Sequence, residues 1–250
     1  MRLRLIARDL SSELSESMIS YYPRFRTGAL HGLVHKLGGL PWGFPAGRWP
    51  VCEECGRPMS HLAQFPGQSL DEQSPSLPIQ ADEVLFVFKC EWDSVCSFWE
   101  RDGGANAIFS VARKELGDRS TEPPVHAKDG APEILPELGV ASWRIEDDGV
   151  PAGLEDAFYD YGRHRELPGE MAHPYDWAAE WRTKFCGVPY WTPNGAQQVP
   201  PGRLLLQIDN WVQMDDGSFK EVANFCSDGT AFIFIDRSQT PPIYSMLINR

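Results

Sequence analysis

The sequence predicts an α+β fold, largely antiparallel β, in which two internally duplicated halves pack about a pseudo-twofold axis and share one core. Two observations carry that expectation. The first is Val84-Leu85-Phe86-Val87-Phe88, apolar at every position, which marks a central strand covered on both faces. The second is an echo. His35-Lys36-Leu37-Gly38-Gly39-Leu40-Pro41-Trp42 returns as Thr183-Lys184-Phe185-Cys186-Gly187-Val188-Pro189-Tyr190-Trp191, and Leu62-Ala63-Gln64-Phe65 returns as Leu205-Leu206-Gln207-Ile208. An aromatic strand, Ala231-Phe232-Ile233-Phe234-Ile235, then follows in the same order as in the first half. Duplication explains a repeated order of motifs with fewest assumptions. The expected organisation is one domain over residues 1–250, with a first repeat at about 28–113, a proline-rich connection at about 120–136 and a second repeat at about 174–250.

Taken in order, Leu10, Leu14, Met18 and Tyr21 or Tyr22 recur at helical intervals, so Asp9 to Arg26 reads as an amphipathic helix stopped by Pro23. Ala29 to Leu37 reads as a strand entering the turn at Gly38-Gly39. Pro41, Trp42, Pro45, Trp49 and Pro50 make a segment poor in backbone donors, suited to lie over a sheet with its indoles on the core. Asn106 to Arg113 and Val140 to Glu146 are strand candidates, the latter with Trp143 and Ile145 on one face and closed by a turn at Asp147-Asp148-Gly149. Ser120 to Pro136, with four prolines, is a connection. Leu154 to Leu167 reads as a helix. A second helix is expected from Pro174, where Trp177, Trp181 and Phe185 fall on one stripe. Gln64 and Gln207, polar residues on apolar strands, are expected to be buried amides that tie the two halves together.

The composition is that of a globular protein, 42% hydrophobic and 23% charged, with a formal net charge of −12. That charge argues against a nucleic-acid phosphate backbone or an anionic membrane surface as partner, and it fits a basic protein client. Met1 to Ala7 is too short an apolar run for an export signal, and no segment approaches the length of a membrane span. A cytoplasmic location is the expectation.

In such a compartment Cys-x-x-Cys is a metal or redox motif rather than half of a disulfide scaffold. Cys52-Glu53-Glu54-Cys55-Gly56 has the spacing of a zinc knuckle, with glycine where the chain must turn. Cys90 and Cys96, at the end of the aromatic strand, supply a second, looser pair. Together Cys52, Cys55, Cys90 and Cys96 are the expected ligands of one tetrahedral, structural zinc. Replacement of one cysteine by His61, a redox Cys-x-x-Cys, and unliganded thiols are the alternatives. A thioredoxin-like context for the redox reading is missing. His31 and His35 lie four apart, but the glycines around them oppose the helix a ligand pair would need. Cys186 and Cys226 read as small buried hydrophobes. No catalytic constellation is evident, and no cofactor other than zinc is implied.

The motif order Gly187-Val188-Pro189, Leu204 to Asp209 and Asp228-Gly229-Thr230 to Ile235 resembles the bacterial YwqG-like family, as do Gly38-Gly39-Leu40-Pro41 and Leu62 to Phe65. The cysteine-bearing segment, with Gly38 to Trp42, Cys52, Cys55, Gly56, Leu62 to Gln64, Phe88, Cys90 and Cys96, is similar to the eukaryotic programmed-cell-death-2 family. The first resemblance implies a duplicated α+β protein of unassigned activity. The second implies a zinc-binding dedicated chaperone of a ribosomal protein, although the second half here carries no matching cysteine set. The functional expectation is therefore a zinc-stapled, non-enzymatic protein-interaction module, either a client chaperone or an inhibitor of the immunity type. The alternative is an enzyme whose cleft lies between the two repeats.

Overall fold

The computed structural model describes residues 19–28, 30–68, 74–92, 95–151, 153–169, 183–191, 199–226 and 229–249. In chain order the strands are β1 (Ile19–Thr27), β2 (Lys36–Leu37), β3 (Ser60–Pro66), β4 (Glu83–Lys89), β5 (Asn106–Ala112) and β6 (Leu138–Asp147). After the short helix α1 (Tyr161–Glu166) come β7 (Lys184–Cys186), β8 (Arg203–Asp209), β9 (Trp211–Gln213), β10 (Phe219–Glu221), β11 (Thr230–Asp236) and β12 (Ile243–Asn249). Ten strands form one sheet in the order β12-β11-β8-β7-β1-β6-β2-β3-β4-β5, every neighbour antiparallel, and β9 and β10 form a separate hairpin. The outermost strands β12 and β5 lie against one another, so the sheet is nearly closed.

The protein is thus mostly antiparallel β. Among the described residues, the helical elements are α1 and three 3-10 turns, at Ala46–Arg48, Arg113–Glu115 and Glu155–Tyr159, and Gly169 is helical as well. None of these is long and apolar enough to cross a membrane. The core runs through the sheet: Val84 to Phe88 are fully buried, as expected for a strand covered on both faces. Trp49 lies edge-on to Phe44 and Phe88 and donates its indole N–H to the Met59 carbonyl at 2.9 Å, so the proline–tryptophan segment does cover core. The 120–136 connection is pinned to that segment, since the Thr121 hydroxyl donates to the Phe44 carbonyl at 2.7 Å.

Three expectations need correction. The helix expected over Asp9 to Arg26 is instead β1 from Ile19 onward; residues 9–18 lie outside the described residues. Ile19, Tyr21, Tyr22, Phe25 and Thr27 are β-branched or aromatic residues that favour the pleated surface over a helix. Pro23 is tolerated because β7 pairs with β1 only at Ser20 and Tyr21, leaving one side of the strand without a ladder at the proline. Likewise Phe185 lies on β7 rather than on a helical stripe, while Trp177 and Trp181 lie outside the described residues. Between these, Leu154 to Leu167 is helical as expected, but as a 3-10 turn followed by α1.

The third correction concerns the buried amides. Gln64 accepts a hydrogen bond from the Trp42 N–H at 2.7 Å and donates to the Val34 carbonyl at 3.1 Å. Gln207 accepts from the Tyr190 N–H at 2.9 Å. Each amide therefore braces the Gly-x-Pro loop nearest its own strand instead of joining the two halves. Both sit at the same place in their ladders: Lys36 pairs with Gln64 and Lys184 with Gln207.

Candidate metal centre

The strand β4 delivers the cysteine cluster by ending. Lys89 is its last residue, and Cys90 follows with its N–H donating to the Ala105 carbonyl at 2.9 Å. The opposite wall is a tight loop in which Val51 bridges to Pro58. Cys52 N–H donates to the Arg57 carbonyl at 2.9 Å, and Gly56 N–H returns to the Cys52 carbonyl at 2.9 Å. Gly56 makes that return at φ +69, a conformation that glycine adopts without steric cost. The two walls are cross-linked by hydrogen bonds. Glu53 N–H donates to the Gly104 carbonyl at 3.0 Å, Ser97 N–H donates to the Glu54 carboxylate at 2.7 Å, and the Trp92 indole N–H donates to the Pro58 carbonyl at 2.7 Å.

This framework brings all four predicted cysteines together. The Sγ atoms of Cys52, Cys55, Cys90 and Cys96 lie within 4.8 Å of one another, and Cys55 and Cys90 are 3.7 Å apart. A metal–sulfur bond of about 2.3 Å gives a tetrahedron whose edges are ~3.8 Å, so the cluster is sized to hold a metal ion. Cys52, Cys90 and Cys96 are buried and Cys55 is half-buried.

The electrostatics agree with the geometry. Burial pushes the Cys90 thiol up to about 11, and the neighbouring sulfurs push in the same direction. Burial likewise raises Cys96. Cys55 moves the other way: burial opposes its ionisation, but hydrogen bonds from the Arg57 backbone and the other three cysteines outweigh it. Four sulfurs this close cannot all carry negative charge unaided, and a cation among them removes that obstacle. Lys89 steadies one corner. Its ammonium, fully buried, contacts the Cys90 carbonyl at 3.0 Å and the Glu91 carboxylate at 2.9 Å, and sits 3.9 Å from the Phe98 ring centre.

The histidines considered from the sequence take other roles. His61 lies on β3 with Nδ1 at 3.1 Å from the carbonyls of both Gly38 and Gly39. Burial, and then the positive charge of Lys36, lower its pKa to about 3. His35 is buried between Phe65 and Trp143. Cys186 and Cys226 are half-buried and share an unexpected feature, backbones at φ +62 and +57.

Sequence reasoning missed the buried ion pairs. Lys184 lies 2.5 Å from Asp148, both side chains being almost fully buried, and Lys36 lies 2.6 Å from Glu137. At the turn expected over Asp147-Asp148-Gly149, it is Asp147 that caps, accepting from the Gly149 N–H at 2.7 Å. Asp148 instead accepts from the Val188 N–H at 2.8 Å and the Tyr22 hydroxyl at 3.2 Å. The available signal was a lysine at the same place in both echoed motifs, each followed by apolar residues.

The fold and the site together define a mostly antiparallel β protein with a buried four-cysteine cluster. No protein-family model matches the chain, and comparison with curated protein sequences finds no match.

Proposed function

We propose that this protein is a zinc-stapled, non-enzymatic interaction module whose client is a basic protein. The observation that carries this reading is the closure of the cysteine cluster. Four thiolates would fill all four positions around a zinc ion, and a catalytic zinc needs one position for water or substrate. Zinc suits an all-sulfur tetrahedral donor set, and here it would fasten the Cys52–Cys55 loop to the end of β4. Val51, Val95 and Trp99 are exposed on the same loops, 49%, 73% and 41%, which supplies apolar surface beside the staple. The net charge of −12 supports a basic client.

The same reading takes the protein as an internal duplication. A central β6-β1 pair is flanked on one side by β2-β3-β4-β5 and on the other by β7-β8-β11-β12. Supporting it, the corresponding residues Gly38 and Cys186 have φ +59 and +62, and Gly39 and Gly187 have φ +62 and +67. The metal is then an addition to one lobe.

Native purification tests the reading, with metal content and co-purifying protein both measured. The expected result is one zinc per chain and a defined basic protein released by raised salt. A metal-free preparation that is as stable as the zinc-loaded one would overturn the staple. A zinc-loaded preparation that binds no protein at any ionic strength would overturn the client.

A further inference from the structure

A cleft of about 440 Å³ opens away from the cysteine cluster, between the start of β1, the β7 turn and the strands β8 and β11. In a chain of net charge −12, the charged residues that line it, among the described residues, are both arginines, Arg203 and Arg237. The rest of the wall is mainly apolar, with Ile19, Pro78, Leu204 and Ile235 contributing. Apolar walls with a few converging polar groups are the usual make-up of a small-ligand site.

The cationic end is built rather than incidental. Arg237 donates to the Pro78 carbonyl at 2.6 Å, and no carboxylate pairs with it among the described residues. A guanidinium has five N–H donors, so one carbonyl leaves most of its capacity for a ligand. Arg203 lies over the Tyr159 ring at 4.8 Å and touches Asp156 at 2.9 Å. Both partners of that ion pair are more than half exposed, so it contributes little, and an anion in the cleft can compete for the guanidinium. Tyr159 is fixed beneath it: the hydroxyl donates to the Gly187 carbonyl at 3.0 Å and accepts from the Leu204 N–H at 3.2 Å.

Two backbone features hold the cleft in shape. Gly202 sits at φ +102 against the Ile235 carbonyl, where a Cβ would have no room, so β8 enters close beside β11. Cys186 lines the wall at φ +62, a conformation that is strained for a non-glycine residue and that concentrates at ligand sites. Burial pushes its thiol up to about 12, so it is a neutral wall and not a nucleophile.

We infer that this cleft binds a small organic anion, with an apolar body against Ile19, Leu204 and Ile235 and an acidic headgroup held by Arg203 and Arg237. The site is independent of the metal-stapled reading and would stand if that reading failed. Octanoate serves as the probe, titrated calorimetrically into the full chain, with octan-1-ol and inorganic phosphate in parallel. The expected result is saturable one-to-one binding of octanoate, weakened at least tenfold in Arg237→Gln and in Arg203→Gln. Neither octanol nor phosphate should match it. Both arginines are exposed, and circular dichroism confirms that the variants fold. Equal binding of octanoate and octanol, equal binding by wild type and both variants, or no saturable binding to the wild type would overturn the assignment.

Discussion

Replacing Lys184 by methionine keeps the length and apolar stem of the side chain and removes only the ammonium. What remains is the Asp148 carboxylate, with none of its side chain exposed and a charge that Lys184 no longer balances. Removing one partner of a buried pair typically costs about 3–5 kcal/mol, since the other charge stays in a medium that solvates it poorly. Asp148 keeps the Val188 N–H and the Tyr22 hydroxyl, which places the cost of Lys184→Met near the lower end, about 3 kcal/mol. Asp148→Asn removes the charge that holds Lys184 and turns one acceptor into a donor facing the Val188 N–H, so about 4 kcal/mol is expected. The double variant buries neither charge and should cost about 2 kcal/mol, well below the sum of the singles. Urea unfolding at pH 7, followed by tryptophan fluorescence and by far-UV circular dichroism, measures all three. Single variants within about 1 kcal/mol of wild type, or strictly additive costs, would refute the claim that the pair is dry and coupled.

On the proposed zinc reading, Cys90→Ser should lower bound metal from one ion per chain to a trace, measured by mass spectrometry of the metal, and should make the chain as unstable as chelator-treated wild type. His61 should make the protein acid-sensitive. Its folded pKa of about 3, lowered by burial and by Lys36, lies below the ordinary value of 6.5, so the unfolded chain takes up a proton that the folded one refuses. Its contribution is complete above pH 6.5 and is lost as pH falls toward 3, with a slope of about 1.4 kcal/mol per pH unit. Stability measured over that window should lose this slope in His61→Gln. Gly38→Ala should cost several times more than Gly149→Ala in thermal unfolding: both glycines have φ above +55, at +59 and +67, but a Cβ on Gly38 would collide with the Pro136 carbonyl while Gly149 faces open space. Equal costs would mean that backbone conformation alone sets the penalty.

The parts of this structure legible in the sequence share one property: their signal lies within a few residues. Val84 to Phe88 is a run of apolar side chains, and its double burial follows directly. Cys52 and Cys55 are paired by a local turn, and the strand before Cys90 aims the second pair at them. The failures arose where a long-range partner decides. Tyr21 and Tyr22 fit a helical period as well as an alternating one, and only the ladder with β6 settles the choice. Asp148 looks like its neighbour Asp147 until Lys184, 36 residues away, is brought to its carboxylate. Gln64 and Gln207 were correctly expected to be buried, but which backbone they hold depends on where the Gly-x-Pro loops fold back. The cleft is less legible still, because one arginine opens β8 while the other follows β11, and its wall includes Pro78 from the other end of the sheet order.

One feature of the sheet bears on how the molecule is made. β1, first of the described strands to leave the ribosome, finds both its neighbours, β6 and β7, only after more than half the chain has been synthesised. The Tyr22 hydroxyl waits 126 residues for Asp148. The four strands β2 to β5 can meanwhile pair in sequence and gather the cysteines, so a metal ion could be captured while β1 is still unpaired. Nascent chains arrested before residue 138 should therefore be metal-loaded yet expose a sticky aromatic segment, the kind of surface on which holdases act.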